Sequence, residues 1–151
     1  MYKVDDRVWQ KMMKDLMATE KKKAQAGFFD GKAPEVYRGK SEADIMAINE
    51  FGAQLKGGAR IPPRRAIGKI ARQKHKMFKR LSAMHLKRAL TGGRPNLSVF
   101  GKLMNDAIAN NINNSTGMIR NRKSTIRSKG FDNPLTDTNH LGSSVKDRVI
   151  T

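Results

Sequence analysis

The chain contains no cysteine, which removes disulfides and thiolate metal sites together and suits a reducing compartment. Aromatic residues make up 6% of the sequence, and nothing in it resembles an aromatic-rich RNA platform. No apolar run approaches the roughly 18 residues needed to span a bilayer. The opening residues, Met1-Tyr2-Lys3-Val4-Asp5-Asp6, lack the apolar core of a signal peptide. Acidic residues are also missing from Phe51 to Asn105, a window in which Lys and Arg are frequent. That window therefore supplies most of the net positive charge.

What remains is 151 residues, a net charge of +18 and a pI near 10.7. The length fits one domain with a single modest core. Unpaired cations at this density repel one another, so an anionic partner or a subunit interface is expected to offset them. Nucleic acid is the first candidate, an acidic protein the second and an anionic membrane surface the third. Nine methionines point to an adaptable core, as in a subunit ordered by assembly.

The most organised stretch runs from Pro62 to Leu90. Pro62-Pro63 mark the expected start of a helix and Gly92-Gly93 lie just beyond its end. Ile67, Ile70, Ala71, Phe78, Leu81 and His85 recur at three- and four-residue steps and form an apolar stripe. Arg65, Lys69, Arg72, Lys76, Lys79 and Arg80 form a second stripe pointing elsewhere. At about 1.5 Å per residue the helix would be about 40 Å long, longer than a small domain is wide.

Around it, Val4 to Lys23 predicts an amphipathic helix with Val8, Trp9, Met12 and Leu16 on one face and Lys21-Lys22-Lys23 in its last turn. Ala24 to Phe29 predicts a strand, followed by a surface loop over 31–40. Ser41 and Asp44 form a capping box for a second helix, which Gly52 stops. Ala53 to Ile61 is a loop or a hairpin tip. Asn96 is the expected cap of a fourth helix through about Asn111, with Leu97, Phe100, Met104, Ala107, Ile108 and Ile112 inward. The run Asn110 to Ser115 should break it. Residues 115–133 show no clear periodicity and predict a long loop. Thr136-Asp137-Thr138 can cap a short turn of helix through Ser144. Val145 to Val149 alternates like an edge strand able to pair with Ala24–Phe29. The expected fold is α+β and mostly helical. A long basic helix and three others pack on a small antiparallel sheet, in one domain over 1–151 with a long flexible loop around 113–133.

A search for chemistry finds little. His75, His85 and His140 lack the i, i+4 spacing of a helical metal pair, and no pair of acids is marked for general acid–base work. Gly57-Gly58-Ala59-Arg60 lacks the Gly-Lys-Ser/Thr ending of a phosphate loop, and Ser143-Ser144 has no accompanying base. No catalytic, cofactor or metal site is expected. The basic stripe is either a solvated helix face or a contact for a phosphate backbone. A solvated face usually mixes signs, so the missing counter-charges favour contact.

Four segments, in order, resemble a known family. They are Ala47-Ile48-Asn49-Glu50-Phe51-Gly52, Arg60-Ile61-Pro62-Pro63-Arg64, Ser124 to Gly130, and Asn133-Pro134-Leu135-Thr136-Asp137-Thr138-Asn139-His140-Leu141. Their order and spacing are similar to the neck or tail-completion proteins of tailed bacteriophages, the virion-morphogenesis or minor tail protein family. That family's pattern reads Asn-Glu-Phe-Gly, then Ile-Pro-Pro-Arg-Pro-Phe, then Pro-Leu-Ile-Asp-Thr-Gly-x-Leu. Here Arg65-Ala66 replaces Pro-Phe, which bears on where the long helix starts. Asn139 replaces Gly, and Thr136 replaces an apolar residue.

The resemblance implies a structural subunit rather than an enzyme: a head–tail connector or tail-completion ring joining head and tail around the DNA channel, in the virion, assembled in the host cytoplasm. Its implied partners are copies of itself, six-fold in preference to twelve-fold, and neighbouring connector, tail-terminator, tube or sheath proteins, with no membrane and no cofactor. Glu50, Phe51, Gly52, Ile61, Pro62, Pro63, Arg64, Pro134, Leu135, Asp137, Thr138 and Leu141 are candidates for subunit contacts or, equally, for loop-to-core packing. Arg65, Lys69, Arg72, Lys76, Lys79 and Arg80 would face DNA or an acidic neighbour. The alternative is a non-specific DNA-binding protein acting outside a virion.

Overall fold

The computed structural model describes residues 6–29, 39–94, 96–115, 117–136 and 140–151. Its elements are α1 (Asp6–Glu20), β1 (Lys23–Gly27), α2 (Glu42–Phe51), β2 (Ala53–Gln54), β3 (Arg60–Ile61), α3 (Ala66–Leu90), α4 (Leu97–Asn114), α5 (Lys123–Lys129), α6 (His140–Ser143) and β4 (Lys146–Ile150). The fold is α+β and mostly helical, as the hydrophobic periods indicate.

α4 is the centre of the molecule, touching α3, α6 and both strands of the β1–β4 sheet. Those strands come from opposite ends of the chain and pair antiparallel, from Lys23 opposite Ile150 to Gly27 opposite Lys146. Gly101 lets α4 lie close to them, since a Cβ there would stand 3.3 Å from the Asp147 side chain and 3.7 Å from the Gln25 carbonyl. Asn105 then donates from Nδ2 to Asp147 Oδ1 at 3.0 Å. On its other side α4 packs antiparallel to α3. The Phe78 and Phe100 rings meet at 5.5 Å at one end. At the other, Asn111 Nδ2 donates to the Ala66 carbonyl at 2.8 Å. Met46, Ala66, Ile70, Ile108, Ile112, Leu135 and Val145 close the core between these layers. It is a small core; among the described residues Ile112 is the large side chain with no exposed surface, and Met46 at 2% comes next.

Local signals set several boundaries. Ser41 Oγ accepts from the Asp44 N–H at 3.2 Å while Asp44 accepts from the Ser41 N–H at 3.0 Å, the reciprocal box that starts α2. The Asp44 carboxyl is held below its ordinary range by that backbone hydrogen bond. Gly52 ends α2 at φ 80°, and a Cβ there would come within 2.8 Å of the Ile61 carbonyl oxygen. Ala53 to Ile61 proves to be a hairpin, β2 pairing antiparallel with β3.

Other expectations are corrected. α1 ends at Glu20 rather than Lys23, so Lys21 and Lys22 lie beyond it and Lys23 opens β1, while Val4 lies outside the described residues. α3 starts at Ala66, four residues after Pro62. The two prolines are followed by Arg65 in a left-handed conformation, φ 45°, and a helix cannot begin until that residue is passed. Ala71 is exposed rather than on the buried stripe. Asn96 makes no side-chain cap to α4; its Oδ1 accepts from Ser98 Oγ instead. The Asn110–Ser115 run does not break α4, which continues to Asn114 because buried Asn111 is anchored to α3. Within 113–133, where a loop was expected, Lys123–Lys129 is helical and ends at Gly130. Most of the 31–40 loop, and the cap expected at Asp137 and Thr138, lie outside the described residues.

Candidate interface at the foot of the long helix

The first turn of a helix has N–H groups with no partner within the helix. In α3 the residue before that turn is Arg65, whose side chain makes no cap. The acceptor comes from α2. Glu50 Oε2 accepts from the Ile67 N–H at 3.0 Å, and Oε1 accepts from the Gly68 N–H at 2.9 Å. A carboxylate at a helix N-terminus also meets the positive end of the dipole. Gly68 makes the approach possible, because a Cβ there would sit 2.8 Å from Glu50 Oε1.

Arg64 fastens the same corner. Its backbone N–H donates to the Asn49 carbonyl at 2.6 Å, and its Nη1 donates to Asn49 Oδ1 at 2.7 Å. The rest of the guanidinium reaches 55 and more residues along the chain, with Nε to the Ile119 carbonyl at 3.3 Å and Nη2 to Asn121 Oδ1 at 3.2 Å. Burial lowers the Arg64 pKa, against a smaller opposing pull from Asp132.

Asp132 organises the segment Arg64 grips. Its Oδ2 accepts from Arg120 Nε at 2.5 Å and its Oδ1 from the Asn121 N–H at 3.0 Å. Its carboxyl is held below the usual range first by the Arg120 hydrogen bond, then by the Asn121 amide. Arg122 Nη2 donates to the Arg60 carbonyl at 3.3 Å, and a Cβ on Gly117 would meet Lys69 Nζ at 3.0 Å. The 117–122 segment therefore lies along the first turns of α3. Downstream, Lys129 Nζ donates to the carbonyls of Asn133 and Thr136, and the Leu135 N–H donates to Ser115 Oγ at 3.4 Å.

The sequence-chosen residues divide on this map. Glu50 and Arg64 are half-buried and engaged within the chain, Gly52, Ile61, Pro62, Pro63 and Pro134 are half-buried around them, and Leu135 is in the core with Leu141 packed against it. Phe51 stands out at 80% exposed. It borders a groove of ≈ 330 Å³ also lined by Phe28, Met46, Ala47 and Ile67. Arg65, Arg72, Lys76, Lys79 and Arg80 are exposed, and Lys69 is half-buried. Asp137 and Thr138 lie outside the described residues. Sequence reading missed the roles of Asn49, Gly68, Asn111, Asn121 and Asp132. One signal was available: Arg64-Arg65 offers α3 no cap, so an acid from a neighbouring element had to supply one.

One cluster has the residue types of a hydrolase. Ser144 Oγ lies 3.3 Å from His140 Nδ1, and Glu42 Oε1 lies 3.6 Å from that same nitrogen. A relay needs the acid and the nucleophile on opposite ring nitrogens. Here both sit at Nδ1, and Ser144 Oγ donates to the His140 carbonyl at 2.8 Å. Among the described residues no group of three or more His, Asp and Glu could hold a metal ion, and no helix is long and apolar enough to cross a membrane.

No protein-family profile, curated protein or solved structure matches the chain.

Proposed function

We propose that the chain is a structural subunit of a bacteriophage neck or tail-completion ring, incomplete until it meets its neighbours. The observation that carries this reading is its surface. Much of what is exposed is apolar. Val8, Trp9 and Met17 on α1, Met84, Leu86 and Leu90 on α3, and Phe51 at the end of α2 are all more than 45% exposed. Large apolar side chains left this exposed are available to an associating surface. A knob such as Phe51 meeting a different face of the next copy would generate a ring.

The motif segments add support. Asn49-Glu50, Arg64 and the stretch leading to Leu135 converge on the start of α3, which accounts physically for their occurring together. In this reading they build the subunit, while Phe51 and the apolar faces join it to others.

Mass photometry of the purified protein tests the proposal. The expected result is a closed assembly near six times 16.9 kDa. A monomer persisting at micromolar concentration, alone and with connector proteins, contradicts it. The second reading, a DNA-binding protein acting outside a virion, is favoured by the exposed cations of α3 but leaves the apolar surface unexplained. It requires no ring.

A further inference from the structure

Two basic blocks that are distant in the sequence, 60–80 and 120–129, are neighbours in the fold. Arg122 bonds to the Arg60 carbonyl, Arg64 to Asn121 and Ile119, and Gly117 lies against Lys69. Arg60, Arg65, Arg72, Lys76, Arg122 and Lys123 are exposed along this seam. Counter-charge is nearly absent. Between Glu50 and Asp132 the chain has one acid, Asp106 on α4. Glu50 is committed to the N-terminus of α3 and Asp132 to Arg120 and Asn121.

We infer that this composite surface, α3 from Arg65 to Arg80 with the 120–127 segment beside its foot, holds the phosphate backbone of a nucleic-acid duplex. The inference rests on the cationic character of α3 and not on ring formation. Three features select the partner. The stripe runs about 22 Å along the helix, and a duplex presents about 13 phosphate charges over that length of axis. An acidic protein of ordinary composition rarely offers an unbroken row of that density. From residue 71 to 77 the face carries no Phe, Tyr or Trp, its side chains being Ala, Arg, Gln, Lys, His and Met; single-strand binders rely on stacking surfaces. From Ala71 to Met77 every residue is exposed, so a rod about 10–12 Å across is open to a broad partner. The contact is with the backbone, and sequence is not read.

The test is fluorescence anisotropy with two labelled DNA duplexes of unrelated sequence. Both should bind equally and lose on the order of 10³-fold in affinity between 50 and 200 mM salt. The triple variant Arg72→Ala/Lys76→Ala/Lys123→Ala should lose about tenfold or more and flatten the salt slope by roughly three contacts. Lys11→Ala/Lys14→Ala/Lys21→Ala removes the same charge from and just after α1 and should stay within about twofold. Equal losses in the two triples would mean that net charge alone attracts DNA, and would overturn the surface. Poly-glutamate competing charge for charge as well as unlabelled duplex would overturn the choice of nucleic acid. Melting curves confirm that both triples are folded. Mass photometry in the same buffers reads assembly separately, so loss of either result leaves the other standing.

Discussion

The foot of α3 and the turns just beyond it carry the same kinds of residue and live in different surroundings. At its foot, Arg64 is half-buried and bonds to Asn49, Ile119 and Asn121, Glu50 covers the first N–H groups, and Asn111 holds the Ala66 carbonyl. One turn later the helix emerges. Arg72, Lys74 and Lys76 are exposed, with no hydrogen bond or ion pair among the described contacts. An arginine eight residues from another thus does a different job. The first fixes the fold and the second is available to a partner. What separates them is whether neighbouring segments cross over the side chain, which charge and spacing do not reveal.

The largest expected contrast is between those two arginines. Arg64→Ala leaves Asn49 Oδ1, Asn121 Oδ1 and a carbonyl without their donor in a half-buried site, and should cost about 2–4 kcal/mol. In a protein of this size that lowers the melting midpoint by roughly 5–15 °C. Arg72→Ala should stay within about 0.5 kcal/mol. Similar melting curves for the two would erase the distinction.

Next is Gly68→Ala. Replacing a helical glycine with alanine ordinarily stabilises by about 1 kcal/mol. Here the methyl would displace the Glu50 carboxylate, so denaturation should show a loss of about 1 kcal/mol instead. Glu50→Gln, which keeps the bulk but offers one acceptor oxygen and no charge, should lose a similar amount. A gain in stability from Gly68→Ala would show that the Glu50 cap contributes nothing.

Asp132 sharpens the comparison through pH. Its folded-state pKa is lowered by the Arg120 and Asn121 hydrogen bonds. Its stabilising contribution is therefore complete above the unfolded carboxyl value, about 4, and is lost as pH falls through the folded value. Asp132→Asn should be less stable than the parent at pH 7, and the two should converge in strong acid. A constant gap across that range would place the effect elsewhere.

The smallest expected effect on stability is at Phe51. With the ring 80% exposed, Phe51→Ser should change stability by under about 0.5 kcal/mol while shifting the mass distribution toward smaller species. A large loss of stability with assembly unchanged would assign the ring to the fold.

What the sequence revealed was mostly local. The Ser41–Asp44 box and the Gly52 stop are each complete within a few residues, so spacing was enough to find them. The β1–β4 pairing was legible despite its long separation because Val145 to Val149 alternates and Ala24 to Phe29 reads as a strand able to receive it. Long-range polar contacts were not legible. Asn111 sits in an asparagine run that by propensity should end a helix. The bond to Ala66 and the burial of Ile112 beside it override that propensity. α5 was missed because its two turns have neither a side-chain cap nor an apolar stripe. For Glu50 the sequence leaves a subunit contact and loop-to-core packing equally open, since nothing around Asn49-Glu50-Phe51 shows that α3 starts beside it.

The most direct test of this division of α3 is hydrogen exchange measured along the helix, with and without duplex DNA. In the free protein the Ile67 and Gly68 amides, held by Glu50, should be protected close to the global limit, while those from Arg72 to Arg80 open more readily. Adding duplex should slow exchange from Arg72 to Arg80 and across Lys123–Lys129, while the Ile67 and Gly68 amides, already held by Glu50, change little. Uniform protection along α3 that duplex does not alter would contradict the account.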